Sequence, residues 1–402
     1  MNKIAMNFRK LTLPLAALAA IAASTSAAAA VVVQCPGDTT GDATWTGAEV
    51  KPANTACKHL SAGDGFIRMA DGKVLYMFGF TNETGNLASA VTLDSLSANF
   101  PAPTIELKQG EDFYLTLTNI GMGMRPDLFD PHTVHFHGKA NAPPLFDGMP
   151  EGSFGVKMGS SFTYYYRQPE PGTYMYHCHQ EATEHMQMGM LGNLYVKPAQ
   201  DGTIYNYGGK NYSQFVYNDG DGSTGYDVAA PLQLASMDHV FHELHLGIQP
   251  LPFANMRDTY TMINGRGYPD TVNPGALVAP AENGAKISQP VTSLVTAIKG
   301  QRVLLRLSNL SVTNYYTVSA LGLPMKVVGS SARQLRGPSG LLLYYDTTSV
   351  TLGGGESAEV MIDTAGVAPG TYFLYTTNLN FLSNNAQDFG GMMTEIVITS
   401  PV

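Results

Sequence analysis

A segment in the first half of this chain returns in the second half, and that duplication restricts the fold to two copies of one unit. Lys108-Gln109-Gly110-Glu111-Asp112-Phe113-Tyr114-Leu115-Thr116-Leu117-Thr118-Asn119 matches Ile298-Lys299-Gly300-Gln301-Arg302-Val303-Leu304-Leu305-Arg306-Leu307-Ser308-Asn309. Pro171-Gly172-Thr173-Tyr174 returns as Pro369-Gly370-Thr371-Tyr372, and Thr133-Val134 and Gly138 correspond to Thr317-Val318 and Gly322. Short alternating apolar runs recur between turn signals, as in Phe162 to Tyr166 and Ala358 to Ile362. A period of two with no long helical period reads as strands. The expected architecture is all-β, two tandem Greek-key β-sandwich domains, which 402 residues accommodate. The expected boundaries are 31–200 for the first domain, 201–230 for a linker and 231–402 for the second domain. The linker is rich in Gly, Asn, Asp, Ser and Tyr. Its Asp219, Asp221 and Ser223 read as a polar turn rather than a calcium loop, because no full ligand loop follows.

Residues 1–30 read as a secretory signal peptide, with Lys3, Arg9 and Lys10 ahead of the short apolar run Leu11 to Ala23. No later segment has eighteen consecutive apolar residues, so no membrane insertion is expected, and the location is periplasmic or secreted. In an oxidising compartment Cys35 and Cys57 can close one disulfide. That leaves Cys178 unpaired. The net charge of −9 disfavours nucleic acid and anionic membranes as partners.

Cys178 has unusual company. It sits in His177-Cys178-His179, with His185 and Met190 downstream and His132-Thr133-Val134-His135-Phe136-His137-Gly138 upstream. Six of the ten histidines fall in these windows. In the second copy His132, His135 and His137 become Tyr316, Ser319 and Leu321, while His177, Cys178 and His179 become Tyr375, Thr376 and Thr377. The framework Gly, Pro, Thr and Tyr residues persist. The framework therefore carries the fold, and the His/Cys set of the first copy carries something extra.

Residues at i and i+2 of a strand share a face. His135 and His137 therefore face one way, as do His177 and His179, while Cys178 faces the other. His132 has the opposite parity to His135 and can join Cys178. A thiolate, two imidazoles and a weak thioether are the ligand set of blue copper, so one strand can serve two copper centres.

These windows resemble those of the cupredoxin-domain multicopper oxidases, relatives of laccases and copper nitrite reductases. His132-x-x-His135-x-His137 resembles the family's ligand triplet, and His177-Cys178-His179 its motif joining two centres. Pro103-Thr104-Ile105 and Ile263-Asn264-Gly265-Arg266 resemble its framework segments. The resemblance implies type 1 copper at His132, Cys178, His185 and Met190. It assigns His135, His137, His177 and His179 to type 2/type 3 copper, and gives each domain a cupredoxin-like fold. Electrons would arrive through an exposed edge of His132 or His185, from a phenol, a metal ion or a redox protein.

Two departures from the pattern bear on function. Six residues separate Cys178 from His185, an intermediate ligand loop. The family's oxygen-reducing cluster takes four His-x-His pairs, and this chain has two. A homo-oligomer pairing two first domains would supply the rest. Alternatively a neighbouring subunit could offer His239, His242 or His245 for a nitrite-reducing centre. In a third case the second centre is incomplete and the protein is an electron carrier or a copper-storage or resistance protein.

Lesser features are read more plainly. The three-residue spacing of His239, His242 and His245 suggests a polar turn or 3₁₀ segment, and His59 suggests a surface residue. Met122, Met124, Met186 and Met188 suit either packing or a soft copper(I) site. Asp147, in Phe146-Asp147-Gly148, is either a turn residue or, by the resemblance, a carboxylate delivering protons to the acceptor. Tyr164, Tyr165 and Tyr166 are expected to alternate within a sandwich strand.

Overall fold

The computed structural model describes residues 31–139, 142–167, 170–247 and 250–401. The expected signal peptide lies outside the described residues. Among these residues no helix is long and apolar enough to cross a membrane.

The protein is two β-sandwiches. In the first, one sheet runs in the order Val74–Asn82, Thr55–Arg68, Asp112–Asn119, Ser161–Arg167, and the other runs Ala102–Lys108, Leu191–Lys197, Gly172–His177, His135–His137. The inward residues of both sheets, among them Leu60, Phe78, Leu115, Tyr164, Phe136, Tyr176 and Leu194, form one core. The second sandwich repeats this plan. Val228–Met237 pairs in parallel with Arg302–Asn309, as Thr55–Arg68 does with Asp112–Asn119. Ser319 sits opposite Tyr375 where His135 sits opposite His177, so the residue-by-residue match between the copies holds in three dimensions.

A third apolar cluster joins the sandwiches, with Met77, Phe100, Met175 and Leu191 of the first against Met237, Tyr260 and Leu310 of the second. Polar contacts reinforce it at the strand that ends in His177. The Thr173 N–H donates to the fully buried Glu359 carboxylate (2.8 Å), and Arg306 donates to Thr173 Oγ1 (3.0 Å). A buried charge needs such donors, so these contacts hold the strand against the second sandwich.

Residues 201–230 are folded rather than extended. They contain the hairpin Tyr205–Tyr207 and Lys210–Tyr212, bury Phe215, Val216 and Tyr217, and include the start of the strand at Val228. The Asp219 carboxylate accepts N–H bonds from Gly222 and Thr224 and a bond from Gln200, which fold the turn around it. Cys35 and Cys57 form a disulfide, and Cys178 is free and buried.

Candidate metal centres

The strand Gly172–His177 is buried along its whole length and pairs antiparallel with both His135–His137 and Leu191–Lys197. Its end divides two groups of donors. Cys178 Sγ lies 3.2 Å from His185 Nδ1 and 3.8 Å from His132 Nδ1, and one donor atom from each residue lies within 4.8 Å of the others. His135, His137 and His177 form a second group under the same limit. The His179 ring adjoins it, with its centroid 5.0 Å from that of His135 and 5.5 Å from that of His177.

The first group is sealed. His132, Cys178 and His185 are at most 1% exposed, as is Met190, which shares their core and accepts the Cys178 N–H on its backbone carbonyl. Burial pushes the Cys178 thiol up to about 12, brings His185 down to about 4 and holds His132 well below its ordinary value. Without a cation the group is a neutral thiol and two neutral imidazoles. A metal ion can replace the thiol proton, and the donor set suits a soft, redox-active one. The Thr133 N–H donates to Sγ (3.4 Å), while Thr133 Oγ1 accepts the His179 N–H (3.0 Å), fixing the turn after the cysteine.

Neither His132 nor His185 has the exposed ring edge that electron delivery was expected to use. Phe241 joins the first core, and His245 packs on the Phe78 ring that also touches His185. His185 Nε2 is buried without a hydrogen-bond partner, while Asp130 and Glu181 bring carboxylate oxygens within 4.8 Å of a His185 ring nitrogen. His185 also lies not on a bare loop but in the short helix Ala182–Gln187, whose backbone turns place it over Cys178.

The second group shows a common orientation. Nδ1 of His135 faces the Asp147 carbonyl (2.6 Å), Nδ1 of His137 the Gly355 carbonyl (3.2 Å) and Nδ1 of His177 the Cys178 carbonyl (2.8 Å). A carbonyl only accepts, so each contact favours the Nδ1–H tautomer and leaves Nε2 as the free donor. Desolvation lowers the affinity of all three rings for protons. A cavity of about 420 Å³ opens between His137, His177 and His179 on one side and Ser311 to Tyr315 of the second sandwich on the other. Met186 lines it. Met188 and Met122 are instead buried in the first core, and Met124 is exposed.

Asp147 sits at a turn beside the second group. It ends the 3₁₀ turn Pro144–Phe146 before Gly148, and its carboxylate lies 3.5 Å from His135 Nδ1, beside a recess lined by His135 and His137. Tyr164 and Tyr166 are buried in the strand, and the Tyr164 hydroxyl accepts the Val134 N–H (3.2 Å).

Other histidines depart from their expected positions. His59 is fully buried, not on the surface, because its strand is paired on both sides and its Nε2 meets Thr118 Oγ1 (2.8 Å). His239, His242 and His245 belong to a short α-helix and its C-cap, not a polar turn, because Asp238 caps the first N–H groups and Phe241 anchors the helix in the core. Both nitrogens of His242 face carbonyls, of Tyr76 and Gln187, and His245 binds Phe241 O and Glu184. Neither ring can reach a neighbouring subunit as a ligand. Thr133, Glu184, Asp130 and the turn Gly353-Gly354-Gly355 also lie around these groups and carry no functional motif in the sequence. Only the glycine run leaves a local signal, since consecutive glycines mark close backbone approach.

Family models described as multicopper oxidase match residues 83–201 and 241–398. Laccase abr2 of Aspergillus fumigatus is 31% identical over 129 residues, covering 31% of this chain and 20% of that protein. Multicopper oxidase MmcO of Mycobacterium tuberculosis is 32% identical over 95 residues, covering 24% of this chain and 17% of that protein. The matches thus span a fifth or less of these relatives' own length. Blue copper oxidase from Nitrosomonas europaea shares the fold at a TM-score of 0.60 and 20% identity, covering 85% of each chain.

Proposed function

Because the chain belongs to the multicopper oxidase family, we propose that this oxidoreductase holds two copper centres in its first sandwich and reduces oxygen at the second. His132, Cys178, His185 and Met190 are the type 1 ligands. His135, His137, His177 and His179 are the ligands of the type 2/type 3 centre. The observation that carries the reading is the split between adjacent residues: Cys178 Sγ lies among the Nδ1 atoms of His132 and His185, while His177 belongs with His135 and His137. Bound there, copper supplies one-electron transfer at the thiolate and reduction of oxygen at the imidazoles.

The chain's own groups do the rest. The Thr133 N–H would stabilise the sulfur as thiolate, and Met190 would offer a weak thioether donor. Three backbone carbonyls aim the imidazoles, and Asp147 supplies protons beside His135. A small-molecule or metal-ion reductant, or a redox protein, delivers electrons past Asp130, Glu181 and Glu184, whose negative charge favours cationic donors. The two His-x-His pairs call for a homo-oligomer in which another first domain completes the oxygen-reducing centre. The Cys35–Cys57 disulfide supports an exported, periplasmic or secreted protein.

Nitrite reduction is the second reading. It is favoured by the convergence of three imidazoles within 4.8 Å in a single chain, enough for a three-histidine copper without a neighbour's ligand. Copper counting and electron paramagnetic resonance on copper-replete protein test the pair of centres. Oxygen uptake with a phenolic dye, set against nitric oxide formed from nitrite, separates the acceptors. One blue copper per chain with neither activity would refute both readings in favour of an electron carrier.

A further inference from the structure

The second sandwich has neither His nor Cys at the positions matching His132, His135, His137, His177, Cys178 and His179, yet one of its backbone carbonyls meets the second centre. The Gly355 carbonyl meets His137 Nδ1 at 3.2 Å. The turn that presents it is held closely, with the Gly355 N–H donating to Asn309 O (2.8 Å) and Asn309 Nδ2 donating to Leu352 O (2.8 Å).

The first copy contains the same turn. There the Gly159 N–H donates to Asn119 O (2.8 Å) and Asn119 Nδ2 donates to Val156 O (2.9 Å), with φ of +77° at Gly159 and +89° at Gly355. The sequences differ where it matters: Lys157-Met158-Gly159 in the first copy is Gly353-Gly354-Gly355 in the second. Each of these glycines meets something close. A Cβ on Gly355 would lie 2.5 Å from His137 Cε1, one on Gly354 would lie 2.4 Å from Ser311 O, and one on Gly353 would lie 2.6 Å from the Tyr315 ring. Removing the side chains brings the turn against the histidine.

We propose that this glycine turn makes the second sandwich a positioning element for copper: the Gly355 carbonyl holds the His137 Nδ1–H and thereby aims Nε2 at the second centre. The proposal rests on the reading of His135, His137 and His177 as that centre. The effect is that of an outer hydrogen-bond partner on a ligating imidazole, which typically changes metal affinity about tenfold to a hundredfold.

The test compares Gly355→Ala with Gly300→Ala in the full chain. Gly300 has a similar φ of +94°, and a Cβ there would meet open space, so it controls for backbone strain. Gly355→Ala should keep the blue absorption and lose non-blue copper in a chelator competition, with altered hyperfine splitting of what remains. Gly300→Ala should retain both. Unchanged non-blue copper and hyperfine splitting in Gly355→Ala would overturn the proposal. A second measurement needs no variant. In the parent protein loaded with zinc chloride, long-range proton–nitrogen spectra should show His137 as a slowly exchanging Nδ1–H, and ligation through Nδ1 would overturn the proposal. A parent that takes up blue copper alone removes the second-centre reading itself, an outcome distinct from a parent with both coppers and an indifferent Gly355→Ala.

Discussion

His137 and His177 present their Nε2 atoms to each other at 2.9 Å across neighbouring strands. With both Nδ1 atoms facing carbonyls, two lone pairs would oppose each other unless a proton or a cation lies between them. A metal ion satisfies both rings at once. His137→Ala should therefore leave the blue absorption intact, remove copper from the second centre and reduce turnover at least about a hundredfold. Absorbance, copper counting and oxygen uptake on one preparation check all three outcomes.

The thiolate centre should respond separately. Cys178→Ser removes the only thiolate among the proposed donors, so the intense thiolate-to-copper absorption should vanish. Far-ultraviolet circular dichroism should remain that of the parent, because the substitution is nearly isosteric and the core around it is large. A band that persists would mean that the metal lies elsewhere.

Asp147 offers a kinetic prediction. Its carboxylate stands 3.5 Å from His135 Nδ1 at the edge of the second group. Asp147→Asn preserves shape and hydrogen bonding but cannot carry a proton. Turnover should fall about a hundredfold or more, the usual contribution of a positioned proton donor. Type 1 reduction by a rapid reductant, followed by stopped-flow bleaching of the blue band, should be unchanged.

His59 predicts part of the acid sensitivity of the fold. Burial brings it from an ordinary 6.5 to about 4, so between these values the unfolded chain binds a proton that the folded chain refuses. Stability from this group is present above about pH 6.5 and is lost as pH falls towards 4, by at most about 3 kcal/mol. His59→Gln should flatten the decline in urea midpoint across that window. An unchanged slope would assign the sensitivity to other buried groups.

The two-copy β architecture, and the copy that gathers the His and Cys side chains, were legible in the chain itself. Strand parity and the repeated Gly, Pro, Thr and Tyr framework are local patterns, and alternation at i and i+2 is enough to separate Cys178 from His177. The surroundings of those side chains were not legible. The burial of His59 and His242 depends on which strands and helices close over them, and the Phe78 ring beside His185 also carries His245 from the second half of the chain. The carbonyl that orients His137 lies 218 residues away at Gly355. Contacts of that span arise only when two separately formed cores are packed together, and side-chain periodicity carries no record of which backbone atoms then meet.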